Sequence, residues 1–136
     1  MDADECRRRF ATAEHAYLAT TGDDGRPHVV PVVFAVDGDR VVTAVDSKPK
    51  RTTQLRRLRN VAENPHVAFL VDVYDSDWDR LWWVRADATA VVVEADAAVW
   101  AVDALQAKYS QYEAAPPGGP VLVADVCRWS GWAASG

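Results

Sequence analysis

The chain has no isoleucine, one methionine, two cysteines, and three lysines against twelve arginines. Asparagine occurs only at Asn60 and Asn64, so residues with AT-rich codons are scarce and the source genome is inferred to be GC-rich. The two cysteines, Cys6 and Cys127, have no metal-ligand spacing and cannot make a disulfide framework. A reducing cytoplasm is the expected setting. No apolar run is long enough to cross a bilayer, and the acidic start Met1-Asp2-Ala3-Asp4-Glu5 is unlike a secretory signal. Positive charge is also short: 15 Lys and Arg face 20 Asp and Glu, a formal net charge of -5. That balance argues against nucleic acid as the main partner. With 136 residues and 49% hydrophobic content, the chain is expected to form one domain, 1–136, with a substantial core.

Against this acidic background the stretch Asp46-Ser47-Lys48-Pro49-Lys50-Arg51-Thr52-Thr53-Gln54-Leu55-Arg56-Arg57-Leu58-Arg59 gathers six of the fifteen basic residues. A local basic site in an acidic protein points to a discrete anionic ligand. Residues 41–45 read as a strand, Ser47 as a cap and Pro49 as a first-turn residue, while Leu55, Leu58, Val61 and Ala62 recur at helical spacing. Lys48, Lys50 and Arg51 would then stand where a helix begins, beside free N–H groups and the positive end of its dipole, which suits a phosphate. A solvated basic helix face is the equally weighted alternative.

Along the chain, the pattern predicts a helix over 2–14 and strands over 15–20, 28–36, 40–46, 66–74, 80–94 and 121–129. The basic helix is expected to end near Asn64-Pro65, and a further helix spans 96–112, with Val99, Val102, Leu105, Tyr109 and Tyr112 as its buried stripe. Six strands with hairpins in the first half favour a mainly β fold, a small antiparallel barrel with peripheral helices. On the strand over 80–94, Trp82, Val84, Ala86, Ala88, Ala90 and Val92 form one apolar row, expected inside. The opposite row holds Leu81, Trp83, Arg85 and Asp87, and a tryptophan beside an arginine suits an interface or a ligand wall. The strand over 28–36 is apolar on both faces, so its second face needs a partner chain or a flat ligand, and Pro31 marks an edge or bulge. A homodimer would cover that face.

The order of four segments carries a resemblance: Tyr17-Leu18-Ala19-Thr20-Thr21, Asp24-Gly25-Arg26-Pro27-His28-Val29-Val30-Pro31-Val32, Thr43-Ala44-Val45-Asp46-Ser47-Lys48-Pro49-Lys50-Arg51 and Asn64-Pro65-His66-Val67-Ala68. Together they resemble the pyridoxamine 5′-phosphate oxidase-like split-barrel superfamily, and within it the coenzyme F420-dependent branch found in actinobacteria. Leu81-Trp82-Trp83-Val84-Arg85-Ala86-Asp87 strengthens the match to one small subfamily of that branch. The resemblance implies a homodimer of six-stranded antiparallel split β-barrels with two cofactor sites between subunits. By implication, Ser47, Lys48, Lys50, Arg51 and Thr52 grip the cofactor's phosphate or acidic tail, with Asp46 beside them in the cofactor site. The tricyclic ring would lie near Pro31, Val32, Thr43, Ala44 and Val45, and the partner chain would close the site with Trp83 and Arg85, with Trp129 or Trp132 adding to the wall.

F420 carries a phosphodiester and a chain of glutamate carboxylates, whereas FMN needs only one phosphate satisfied, so surplus basic charge and the GC-rich composition tilt toward F420. Arg56 and Arg59 share a face suited to the tail or to solvent, and Arg57 is expected in solvent. The resulting expectation is an F420-dependent oxidoreductase transferring a hydride to or from a small organic substrate. An FMN-dependent oxidoreductase and a non-catalytic carrier of F420, flavin or haem remain as alternatives. No metal site is expected, since Asp75, Asp77 and Asp79 lack the turn glycine and distal glutamate of a cation loop. No side chain is named as an obligatory acid or base; His28 is the best proton-donor candidate, ahead of His15, His66, Asp72 and Tyr74.

Overall fold

The computed structural model describes residues 1–45 and 52–135, with residues 52–55 described by backbone alone. Among the described residues there are seven strands: β1 (Ala16–Thr21), β2 (Pro27–Val32), β3 (Ala35–Asp37), β4 (Arg40–Ala44), β5 (His66–Val73), β6 (Trp82–Val93) and β7 (Val121–Ala133). Four α-helices accompany them: α1 (Ala3–Thr12), α2 (Thr52–Glu63), α3 (Val99–Lys108) and α4 (Ser110–Ala114). Every pairing is antiparallel, in the order β2-β1-β5-β6-β7-β4-β3.

The expected count of six strands is corrected to seven, because the single strand foreseen over 28–36 is two. β2 and β3 form the two opposite edges of the sheet, yet only Val33 and Phe34 separate them. The three Cα steps from Val32 to Ala35 reach about 11 Å at most, so the sheet must curl until its edges nearly meet. The result is a half-barrel with a split. At the split, side chains replace ladder hydrogen bonds. Thr43 Oγ1 donates to the Val33 carbonyl at 2.6 Å. The Tyr109 hydroxyl accepts from the Phe34 amide at 3.1 Å and lies 2.7 Å from the Glu14 carbonyl and 2.9 Å from that of Phe34, to either of which it can donate.

Reaching Phe34 also explains why the helix foreseen over 96–112 breaks. Tyr109 stands in extended conformation (φ -117°, ψ 117°) between α3 and α4. The buried stripe of α3 is Ala98, Ala101 and Leu105, while Val99 is 58% exposed. This set is rotated by one residue from the expected one, because small alanines let the helix sit close on β3, β4 and β7 and form a second core with Ala35, Val42 and Val121. The main core fills the curl, where Phe10 of α1, Phe34, Phe69, Leu18, Val84, Ala86 and Ala88 meet Val61 of α2. The expected inward row of β6 is buried from Val84 to Ala90, whereas Val92 is exposed.

Lys108, at the end of α3, places Nζ 3.7 Å from the Phe34 ring centroid without a hydrogen-bond partner. Burial pushes its pKa down to about 8 from the usual 10.5, partly opposed by the Glu14 charge. The unfolded chain therefore binds more protons than the folded one between about pH 8 and 10.5. Stability from this group rises as pH climbs through that window, and its cost is full below pH 8. Lys108→Met is expected to raise stability by ~1 kcal/mol at pH 7, an amount discounted for partial solvent access. The gain should shrink above pH 10, as denaturant titrations at the two pH values would show.

Candidate functional site

The β1–β2 turn and α2 are locked together. Asn60 Nδ2 donates to Thr20 Oγ1 at 3.1 Å, with both residues buried. Glu63 Oε1 accepts from the Asp23 amide at 2.8 Å. A Cβ on Gly22 would lie 2.6 Å from Glu63 Oε1 and 2.7 Å from Asn60 Oδ1, so any side chain there would push both of these groups aside. This anchoring holds the C-terminal end of α2, which begins at Thr52, directly after the basic segment in sequence. Asp46, Ser47, Lys48, Lys50 and Arg51 lie outside the described residues, and Thr52 is described by backbone alone.

After that segment in sequence, the helix presents a cation the sequence reading assigned to solvent. Arg57 is 7% exposed, and its Nε is buried without a hydrogen-bond partner. Loss of hydration lowers its pKa. His28 shares the neighbourhood: its Nδ1 is also buried and unpartnered, and burial, then the charges of Arg56 and Arg57, lower its pKa from the usual 6.5. His28 is therefore neutral at pH 7, which makes it a poor acid there but leaves it able to hydrogen-bond an anion's oxygen. Arg56 lies 3.8 Å from Asp24, a loose half-exposed contact, and Arg59 is exposed. Buried polar atoms without partners are rare in proteins. Here two of them, Arg57 Nε and His28 Nδ1, lie near the Arg56 charge, an arrangement able to hydrogen-bond an anionic group. The signal available in the sequence was Asn60 and Val61, three and four residues after Arg57, which place Arg57 on the inner face of α2.

The other foreseen residues divide into two groups. Val32, Thr43, Ala44 and Val45 are buried side chains, and the Thr43 hydroxyl is spent on Val33. What they offer a ligand is backbone: the β3–β4 ladder stops at Ala35↔Val42, so Thr43 and Ala44 lie beyond it on the side of the split. Pro31 is exposed on edge strand β2, with Val29 (59% exposed) on the same face. Trp83 and Arg85 lie on the outer face of β6, as expected, with the Arg85 guanidinium carbon 5.7 Å from the Trp83 ring centroid and Nε 3.3 Å from Asp87. The tryptophans near the C-terminus part company. Trp129 packs inside against Phe10 and donates to Asp39 at 3.1 Å, while Trp132 pairs with Trp83 across β6–β7 and is 48% exposed. Register sets Pro31, Tyr17, Leu70, Arg85 and Ser130 in one row across the outer face.

Of the remaining histidines, His15 packs edge-on against Tyr17 and His66 opens β5. Asp75 and Asp77 spend a carboxylate oxygen on the amides of Asp77 and Asp79, which makes that loop self-capping. Among the described residues no cluster of three His, Cys, Asp or Glu could hold a metal, and no helix is long and apolar enough to cross a membrane.

The sequence profile described as pyridoxamine 5′-phosphate oxidase matches residues 3–133. A 55-residue segment is 44% identical to a 5a,11a-dehydrotetracycline/5a,11a-dehydrooxytetracycline reductase of Streptomyces rimosus; the match covers 40% of this chain and 37% of that protein. In three dimensions the chain is similar to a FAD-binding protein from Mesorhizobium loti (TM-score 0.73, 18% identity, 96% of this chain and 94% of that one). It is also similar to HutZ, a haem storage protein from Vibrio cholerae (TM-score 0.71, 16% identity, 96% and 93%).

Proposed function

We propose, since the chain belongs to the pyridoxamine 5′-phosphate oxidase family, that it is an oxidoreductase that binds coenzyme F420 and acts on a small organic substrate. The observation that carries the reading is Arg57, whose buried Nε has no hydrogen-bond partner among the described residues, near the neutral His28 and on the helix that follows the basic segment in sequence. An apolar residue would fill that place more cheaply unless an anion joins it. On this reading Arg57, Lys48, Lys50 and Arg51 receive the phosphodiester, with Ser47, Asp46 and Thr52 completing the loop. Arg56 and Arg59 face the glutamate tail. Pro31, Val32, Thr43, Ala44 and Val45 line the ring through backbone groups. F420 supplies two-electron hydride chemistry with little reactivity toward oxygen; the chain supplies orientation, electrostatics and exclusion of water. The partial likeness to a reductase supports the oxidoreductase class. FMN is the alternative cofactor, because its single phosphate would also satisfy Arg57.

Lys50→Ala with Arg51→Ala is expected to weaken F420 and FMN alike, by roughly tenfold or more for the pair of lost charge-assisted contacts. Undiminished binding of both, measured by fluorescence titration, would remove the phosphate site from this segment.

We further propose a homodimer, with Trp83 and Arg85 of each subunit closing the other's site. The outer face exposes the apolar side chains Tyr17, Val29, Leu70 and Trp132, which a partner chain would cover. Sedimentation equilibrium at micromolar concentration should give twice the chain mass. A monomer that still binds cofactor would contradict this arrangement.

A further inference from the structure

A cavity of about 560 Å³ lies between the end of α1 and the junction of α3 with α4, lined by Thr12, Glu14, Lys108, Tyr109, Ser110 and Gln111. None of these residues belongs to the set assigned to the cofactor or to the outer face of the sheet. The size falls within the range of small-molecule sites. Two of its hydroxyls are used within the chain: Thr12 donates to the Arg9 carbonyl at 2.7 Å, and Tyr109 accepts from the Phe34 amide at 3.1 Å. The two charged groups are not.

Lys108 and Glu14 line this cavity with opposite charges, yet they form no ion pair with each other or with any other described residue. The Lys108 ammonium is buried over the Phe34 ring, a contact that returns only part of its lost hydration. A carboxylate entering the cavity would supply the missing partner. Glu14, exposed at the same cavity, restricts what that carboxylate is attached to. A dianion would gain one cation and be repelled by Glu14, and a simple cation would be repelled by Lys108. One charge of each sign on one molecule satisfies both groups.

We infer that this cavity binds a small aminocarboxylate, whose carboxylate meets Lys108 and whose protonated amine meets Glu14. As the ligand enters, the Lys108 ammonium leaves the Phe34 ring for the carboxylate, a movement its flexible stem allows. The Ser110 hydroxyl and the Gln111 amide add neutral hydrogen-bonding groups to the same walls.

The test is titration of the full chain with γ-aminobutyrate, butyrate and butylamine, three probes of matched length, followed by backbone amide chemical shifts. At pH 7, γ-aminobutyrate should bind roughly fivefold tighter than butyrate and at least roughly tenfold tighter than butylamine. Glu14→Gln should bring γ-aminobutyrate and butyrate to within about twofold of each other. Lys108→Met, expected to fold stably, should weaken γ-aminobutyrate by roughly tenfold or more. A change of pH supplies a readout that a purely structural lysine would not move. Lys108 gives up its proton at about pH 8, whereas the probe's amine, like a free lysine, keeps its own to ~10.4. Affinity should therefore fall about tenfold from pH 7 to pH 9, and Lys108→Arg should bind without that fall. The other titratable groups at hand are Glu14, Tyr109 and, in an adjoining cavity, His15 and Tyr112. A fall that persists in Lys108→Arg would belong to one of them and overturn the assignment. So would butyrate binding as tightly as γ-aminobutyrate, a Lys108→Met variant that binds as before, or no binding of any probe at tens of millimolar. Competition with F420 or FMN would place the probe in the cofactor site and overturn it too.

Discussion

Arg57→Met is expected to leave the fold as stable as before, or more so, while weakening F420 and FMN binding by roughly ten- to a hundredfold. Both halves follow from one observation. The guanidinium is 7% exposed and Nε has no partner, so it bears a desolvation cost that nothing in the described chain offsets. Replacing a buried, uncompensated charge by an apolar side chain of similar volume is neutral or stabilising. A charge-assisted hydrogen bond to phosphate contributes about 1.5–3 kcal/mol, which converts to the stated loss. Denaturant titration and cofactor titration on the same variant separate the two effects. A variant that is destabilised and still binds both cofactors would show Arg57 to be a structural residue.

Phe34→Ala should cost about 3–5 kcal/mol, the range for truncating a fully buried aromatic residue, and in a chain of this size that is a large share of the total stability. Phe34 is fully buried at the break between the two edge strands, with Phe10 at 4.8 Å between ring centroids on one side and Lys108 Nζ on the other. Its backbone N–H donates to the Tyr109 hydroxyl, which also lies 2.9 Å from its carbonyl. Truncation therefore opens a cavity where side chains close the curl of the sheet. Urea denaturation measures the loss; a change under 1 kcal/mol would mean the split is held by something other than this cluster.

How much of this was legible in the sequence depends on the kind of signal. The inward row of β6, the outward Trp83 and Arg85, and the edge position of Pro31 were legible because alternation and proline chemistry are local. The break at Val33 and Phe34 was not. Nothing local interrupts the apolar run over 28–36, and only the distant Tyr109 and Thr43, bonded to its carbonyls and amide, create two strands there. The same long-range contact broke the helix foreseen over 96–112. Arg57 was misplaced because charge outweighed position: an arginine is expected outside, yet its spacing to Asn60 and Val61 puts it on the helix's inner face.

The central claim is that the basic start of α2 serves a deazaflavin cofactor, and a side-by-side fluorescence titration of the purified protein with F420 and FMN tests it most directly. The account predicts micromolar or tighter binding of F420 and distinctly weaker binding of FMN. Preference for FMN would move the chain to flavin chemistry and make the surplus arginines a solvated face. Binding of neither would leave the half-barrel intact and contradict the proposed function.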